Sequence, residues 1–330
     1  MSQLVIAGTK IECGEKKRID VPIALLPAQT MLSMPVIVNR GTEDGPRLWV
    51  SSALHGDEIN GVEIIHRVLE HMKTTTIRGT LIAVPIVNVF GFTQQSRYLP
   101  DRRDLNRSFP GGKSGSLAGR LAHLFLSEIV EKATHGIDIH TGAIHRSNHL
   151  HIRSEPNQGS LELAHAFKPS VILTTMSMKG TLRASANKMN IPNILVELGE
   201  ALRYNESYIE ECTQGIFRIM HHLGMIDEYP ACSTSAPFIT SSTTWVRARR
   251  GGLFHPTVAL GSYVSKGQQL GKISDILGDS HGDLLAPKKG IVIGMAKNPI
   301  VYQGDALIHI AIDTTGDPQG VNVDEHPEES

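Results

Sequence analysis

Cysteine is scarce in this chain. Its 330 residues hold Cys13, Cys212 and Cys232, an odd set without metal-binding spacing, which excludes a disulfide scaffold and fits a reducing, cytosolic setting. None of the three has the setting of a nucleophile. Long apolar runs are missing too: nothing approaches membrane-spanning length. The opening Met1-Ser2-Gln3-Leu4-Val5 lacks a basic-then-apolar leader pattern. A cytoplasmic protein with no membrane partner is expected. Neither sign of charge is in excess, with 32 Lys and Arg against 33 Asp and Glu. A nucleic-acid partner held on a basic face would require a Lys/Arg surplus, so none is expected, although a local basic pocket is compatible with the balance. Internal repeats at a solenoid period are absent. What is present suits a packed core: 40% hydrophobic and 20% charged residues, in a length sufficient for one large domain or two ordinary ones.

The apolar pattern divides the chain. Residues 1–45 carry short runs broken by Pro and Gly. Two of these, Val21-Pro22-Ile23-Ala24 and Pro35-Val36-Ile37-Val38, read as edge strands leading into a main sheet. From 46 to 228, apolar runs at 48–54, 81–87, 137–139, 171–174 and 194–198 alternate with helical periodicities at 59–72, 117–132 and 204–223. Strands alternating with helices predict an α/β domain with a mainly parallel sheet, buried on both faces. The stretch 229–244 is rich in Pro, Ser and Thr and reads as a linker, 245–313 as a small all-β domain, and the acidic tail 314–330 as disordered.

His55-Gly56-Asp57-Glu58 follows the first strong apolar run directly. His140 ends the run Gly136-Ile137-Asp138-Ile139-His140, and Glu197 ends another, Leu195-Val196-Glu197. Open α/β sheets bind ligands beyond the carboxyl ends of their strands, so these groups are predicted to converge on one edge. Two imidazoles and one carboxylate are the donor set of a hydrolytic zinc site, which leaves a position for water. His55, Glu58 and His140 are therefore the candidate metal ligands. Glu197 is the candidate general base, with Val196 and Leu198 expected to raise its pKa by desolvation. Asp138 shares a strand face with His140 and is a candidate support for it.

Between Glu58 and His140 lies an arginine-rich loop, Arg97 to Gly111. Arg107 with Asn106 suits a substrate carboxylate, and Arg97 suits a developing oxyanion. Arg102 and Arg103 read as solvated charge balanced by Asp101 and Asp104. His149 and His151 alternate and read as polar residues sharing the face of a half-exposed strand. His66 and His71 read as helix-surface positions, and His221-His222 as a helix C-terminus.

The set H-x-x-E, R-Y-x-P with D-L-N-R-S-F-P-G, D-I-H-T-G and V-E-L-G resembles the succinylglutamate desuccinylase/aspartoacylase group of the zinc carboxypeptidase-like superfamily. The resemblance spans roughly residues 35–315. It implies an α/β/α sandwich with a mixed sheet, one zinc per chain on His55, Glu58 and His140, and Glu197 as general base. It further implies Asn106 and Arg107 as the carboxylate-binding pair and Arg97 as the carbonyl-polarising arginine. The implied activity is cleavage of the amide bond of a small N-acyl amino acid, with a metallocarboxypeptidase acting on peptide C-termini as the alternative. The implied partner is a small carboxylate-bearing N-acyl amino acid or a peptide C-terminus, and a homo-oligomer is compatible with the resemblance. Residues 261–273 and 285–292 resemble the biotinyl/lipoyl barrel-sandwich fold. The intervening hairpin, 274–283, contains no lysine on which a carrier cofactor could be mounted.

Overall fold

The computed structural model describes residues 3–229, 236–278 and 280–315. The chain opens with a hairpin, β1 (Leu4–Ile6) and β2 (Thr9–Ile11), then runs through β3 (Lys16–Leu25), β4 (Met31–Arg40) and β5 (Glu43–Ser52). Helix α1 (Asn60–His71) leads to β6 (Arg78–Val84), α2 (Val89–Gln94), α3 (Leu117–Glu128), β7 (His135–Gly142) and β8 (Arg146–Ser154). Next come α4 (Gln158–Phe167), β9 (Val171–Thr174), α5 (Leu182–Lys188), β10 (Asn193–Glu200) and α6 (Glu206–His222). Strands then follow without helices: β11 (Phe238–Thr240), β12 (Thr243–Arg247), β13 (Gly252–Pro256), β14 (Tyr263–Val264) and β15 (Gln269–Ser274). The last are β16 (Ser280–Leu285), β17 (Gly290–Ala296), β18 (Ile300–Val301) and β19 (Ala306–Ile312). Among the described residues, no helix is long and apolar enough to cross a membrane.

The central sheet is mixed, not mainly parallel as the periodicity alone suggested. β6, β5, β7 and β10 run parallel to one another. Antiparallel β4 and β3 extend one side, and β8, β17, β19 and β12 extend the other. Strand alternation splits the apolar residues between two faces. Leu48, Val50, Ile137, Ile139, Val196 and Leu198 pack with α1, α4 and α6 on one face. Trp49, Ile82 and Val84 pack with α3 and α5 on the other. Full burial of each such side chain contributes on the order of 1.5–3 kcal/mol.

Several boundaries differ from the sequence reading for local reasons. β6 ends at Val84 because Pro85 cannot donate to the ladder. The helix predicted over 117–132 ends at Glu128, and a tight 3-10 turn, Val130–Lys132, follows. Helices α4 and α5 were not foreseen. Each is short, but each begins on a side-chain cap, Asn157 to the Ser160 N–H and Thr181 to the Ala184 N–H. The stretch read as a linker carries β11, whose Phe238, Ile239 and Thr240 pair with Val171, Ile172 and Leu173. Three residues are too few to show a pattern in sequence. Cys232, part of that stretch, and the tail beyond Thr315 lie outside the described residues.

The sheet forks at β8. Ile152 to Ser154 pair with β9, whereas Arg146 to Asn148 pair with β17 from the C-terminal part of the chain. Between the two arms, two steps along β10 (Glu197 to Gly199) oppose three along β8 (Asn148 to His151). This bulge inserts one residue and reverses the face of everything before it. A third core, including Phe254, Val264, Leu270, Val292, Leu307 and Ile310, fills the C-terminal β unit.

Candidate metal centre

The carboxyl end of β5 passes through Ala53, at a positive φ of 48°, into the turn His55–Glu58, which is closed by the Glu58 N–H donating to the His55 carbonyl at 3.1 Å. Gly56 sits where a Cβ would lie 1.9 Å from the Gly91 carbonyl carbon, so the two loop backbones meet there and only glycine fits. The turn points both side chains inward. Glu58 occupies the centre: its Oε1 is 2.7 Å from His55 Nδ1 and its Oε2 is 2.9 Å from His140 Nδ1. The Thr141 N–H also donates to Oε2, at 3.0 Å. His55, Glu58 and His140 are 3%, 1% and 3% exposed, and their ligand atoms all lie within 4.8 Å of one another.

Each imidazole is gripped from behind by a second carboxylate. His55 Nε2 is 3.1 Å from Asp104 Oδ1, and His140 Nε2 is 2.8 Å from Asp138 Oδ2. Asp138 in turn accepts the Ser51 hydroxyl at 2.8 Å. Arg97 closes the group, its Nη2 donating to Asp104 Oδ2 at 2.9 Å and its Nη1 lying 3.4 Å from Glu58 Oε1. Burial opposes charge on both imidazoles. For His55 the attraction of Glu58, aided by the bond to Asp104, outweighs it, although Arg97 opposes. For His140, Asp138 and Glu58 outweigh it by a wide margin, so both pKa values are raised. Burial likewise works against the Glu58 carboxylate, yet the two imidazoles hold it well below the usual range. Asp57 is also buried, but desolvation and then Glu58 push its carboxyl upward, toward the neutral form.

This arrangement fits a divalent cation. Three carboxylates against one guanidinium leave two negative charges in a buried site. Two imidazole protons or one divalent cation restores neutrality. With the Nε2–H groups donating to Asp104 and Asp138, both Nδ1 lone pairs are fixed toward Glu58, the usual way in which a carboxylate orients a metal-binding histidine.

Glu197 stands beside this cluster. On β10 it is in register with His140 on β7, and paired residues on adjacent strands share a face. Its carboxylate accepts the Asn148 side-chain amide at 2.9 Å and lies 3.9 Å from Arg153 Nε. The expected desolvation by Val196 and Leu198 is corrected by strand alternation. Both point through the sheet into the opposite core, and the carboxylate has polar neighbours instead.

The model of the succinylglutamate desuccinylase/aspartoacylase catalytic domain matches residues 44–223, more than half of the chain. The chain belongs to this family. The matched region contains every candidate site residue, from His55 to Glu197. Over 292 residues the chain is 24% identical to the N-alpha-acetyl-L-2,4-diaminobutyric acid deacetylase of Halomonas elongata, covering 83% of this chain and 84% of that protein. A crystal structure of a succinylglutamate desuccinylase/aspartoacylase from Rhodobacter sphaeroides superposes with a TM-score of 0.79 at 25% identity, over 91% of this chain and 95% of that one. The product-bound ectoine utilization protein EutE (DoeB) of Ruegeria pomeroyi shares the fold, with a TM-score of 0.80 at 22% identity over 94% and 98% of the two chains.

In this family member the arginine loop is partly drawn into the cluster. Arg97 reaches it directly. Asn106 is buried in the turn Leu105–Arg107, and its Oδ1 accepts the Leu182 N–H at the start of α5, at 3.0 Å. Arg107 is exposed, and its charge helps to hold the Asp104 carboxyl low against burial, after His55 and Arg97. Arg102 and Arg103 are exposed, as expected. Asp101 and Asp104 do more than balance charge. Asp101 accepts the Ala118 N–H in the first turn of α3 at 3.1 Å, and Asp104 orients His55. Nothing in the spacing of the loop announces this, because the partner lies 49 positions away.

The reading of His149 and His151 is corrected. The bulge sends them to opposite faces. His149 meets the Tyr208 hydroxyl at 3.1 Å and Ser170 Oγ at 2.7 Å. His151 is wholly buried, its Nδ1 2.8 Å from the His149 carbonyl. Desolvation, with Arg153 and other neighbours, holds its pKa well below the ordinary value. His66 and His71 are exposed on α1, and His221 and His222 are exposed at the end of α6.

Proposed function

We propose that this chain is a zinc-dependent hydrolase that cleaves the amide bond of a small N-acyl amino acid. The observation that carries the proposal is the buried His55–Glu58–His140 cluster, which together with Asp104, Asp138 and Arg97 is short of two positive charges, with Glu197 in register beside His140. His55 Nδ1, His140 Nδ1 and Glu58 would hold the ion. Zinc in such a site supplies Lewis acidity and lowers the pKa of water toward neutrality.

The chain's own groups have separable tasks. Glu197 takes a proton from the attacking water and returns one to the leaving nitrogen as the C–N bond breaks. The water oxygen ends on the acyl carbon. Arg97, anchored by Asp104, offers a guanidinium edge to the oxygen that gains charge. Asn106 and Arg107 bind the substrate carboxylate. The carboxypeptidase alternative would use the same residues. Deacylation takes precedence because the match to a deacetylase runs along most of both chains. We read 46–228 as the hydrolase domain and 245–313 as a barrel-sandwich-like unit that narrows the site, without a carrier role because 274–283 lacks lysine.

The test is hydrolysis by zinc-loaded protein of a panel of N-acetyl and N-succinyl amino acids and of dipeptides with free C-termini. Release of carboxylate from the acyl amino acids, reduced at least about 100-fold by Glu197→Gln, is expected. Wild-type rates in Glu197→Gln, or turnover of the peptides alone, would overturn the reading.

A further inference from the structure

Asn148 is the residue that the described site leaves without a task. It lies outside every motif that drew attention in the sequence. Its side-chain amide nevertheless donates to Glu197 Oε2 at 2.9 Å. Two features deliver it there. The bulge in β8 turns Asn148 onto the face that carries His140 and Glu197; with regular alternation from His151 it would face the opposite core. Beyond the bulge, Asn148 pairs with Gly294 of β17. A Cβ at Gly294 would lie 3.1 Å from Asn148 Oδ1 and 3.1 Å from the Cβ of His309. The glycine therefore leaves room for the asparagine amide. β17 belongs to the C-terminal β unit, beyond the segment matched by the catalytic-domain model.

We infer that Asn148 is a positioning residue for Glu197, held in place jointly by the β8 bulge and by Gly294, so that the C-terminal β unit sets the orientation of the base. This rests on the proposed role of Glu197 as that base. An amide has a fixed donor end and a fixed acceptor end. With Nδ2 toward the carboxylate and Oδ1 toward β17, one side chain links the two units. The bond selects one carboxylate rotamer and favours its ionised form. The charged and titratable groups around Glu197 include His140 on β7 and His151 and Arg153 on β8. Behind them, His309 on β19 is near enough to disfavour charge on His151.

Two independent readouts test the inference. The first is a carbon-13 NMR titration of the Glu197 side-chain carboxyl in the full-length, metal-free protein, assigned by its loss in Glu197→Gln. Asn148→Ala should move that titration up by about one pH unit. Gly294→Ala, which crowds the amide from the other side, should move it the same way by less. The second readout is the pH profile of the zinc-loaded enzyme. The acid limb of kcat/KM should rise in parallel, with kcat reduced about tenfold and KM within about twofold. Asn148→Asp, which sets a carboxylate against Glu197, should move the titration further than Asn148→Ala. An unmoved carboxyl titration in folded Asn148→Ala and Asn148→Asp overturns the inference even if Glu197 proves to be the base. A shifted titration with undiminished activity in Glu197→Gln supports the contact but removes the functional reading beneath it.

Discussion

Asp138→Asn is the most informative small change at the cluster. Asp138 Oδ2 accepts from His140 Nε2 at 2.8 Å, and its Oδ1 accepts the Ser51 hydroxyl. Asparagine keeps the shape. Its carbonyl oxygen can face His140, and its amide can donate to Ser51 Oγ, which already accepts from Trp49 Nε1 at 3.3 Å. What is lost is the charge behind the imidazole. A hydrogen bond to an ionised partner contributes about 1.5–3 kcal/mol and a neutral one about 0.5–1.5, so the change removes on the order of 1–1.5 kcal/mol of support for His140 as a donor. At 1.36 kcal/mol per tenfold, zinc affinity should fall roughly tenfold, the low end of the 10- to 100-fold typical for such partners. Competition against a chromophoric zinc chelator at fixed pH measures this, with circular dichroism to confirm an unchanged fold. Wild-type affinity in Asp138→Asn would refute the argument that the carboxylates behind the histidines tune the site.

Two further perturbations probe the scaffold. Gly56→Ala would place a methyl 1.9 Å from the Gly91 carbonyl carbon and 2.1 Å from the Phe92 nitrogen. These are backbone atoms that cannot rotate away, so a loss of at least about 1–3 kcal/mol is expected. Denaturant melts should show it together with weakened zinc binding, and an unchanged midpoint would contradict the packing described. His151 gives a pH signature. Its folded pKa is depressed well below 6.5, so its contribution to stability is intact above about pH 6.5 and is lost as pH falls toward the folded value, because only the unfolded chain takes up the proton. The slope approaches about 1.4 kcal/mol per pH unit in that window. His55 and His140, with raised pKa values, act in the opposite sense, losing their contribution as pH rises. Comparison of wild type with His151→Phe isolates the term: the variant should be flatter below pH 6.5 in urea titrations, and equal slopes would refute a buried neutral His151.

How far the sequence disclosed this molecule depended on the range of the interaction involved. His55, Glu58 and His140 stood out because each follows an apolar run, and strand ends of a wound sheet are where polar groups gather. The geometry brings these three together. Glu197 was legible for the same reason, but its surroundings were not. Val196 and Leu198 are neighbours in the chain and strangers in space, because a strand sends successive side chains to opposite faces. The bonds of Asp104 to His55 and of Asn148 to Glu197 were not foreseen, because in each the partner is 49 positions away. His151 looked half-exposed because a polar residue in an alternating strand ordinarily is. Here the strands that follow residue 290 extend the sheet past β8, and a one-residue bulge moves His149 to the far face. An inserted residue leaves no periodic trace.

Elemental analysis of the purified protein for zinc, set beside Glu58→Gln and His140→Ala, puts the central claim to the most direct test. The account predicts one zinc per chain in the wild type and its loss in both variants, with the fold retained. A wild-type protein that stays metal-free after zinc reconstitution, or variants that keep a full complement, would contradict it.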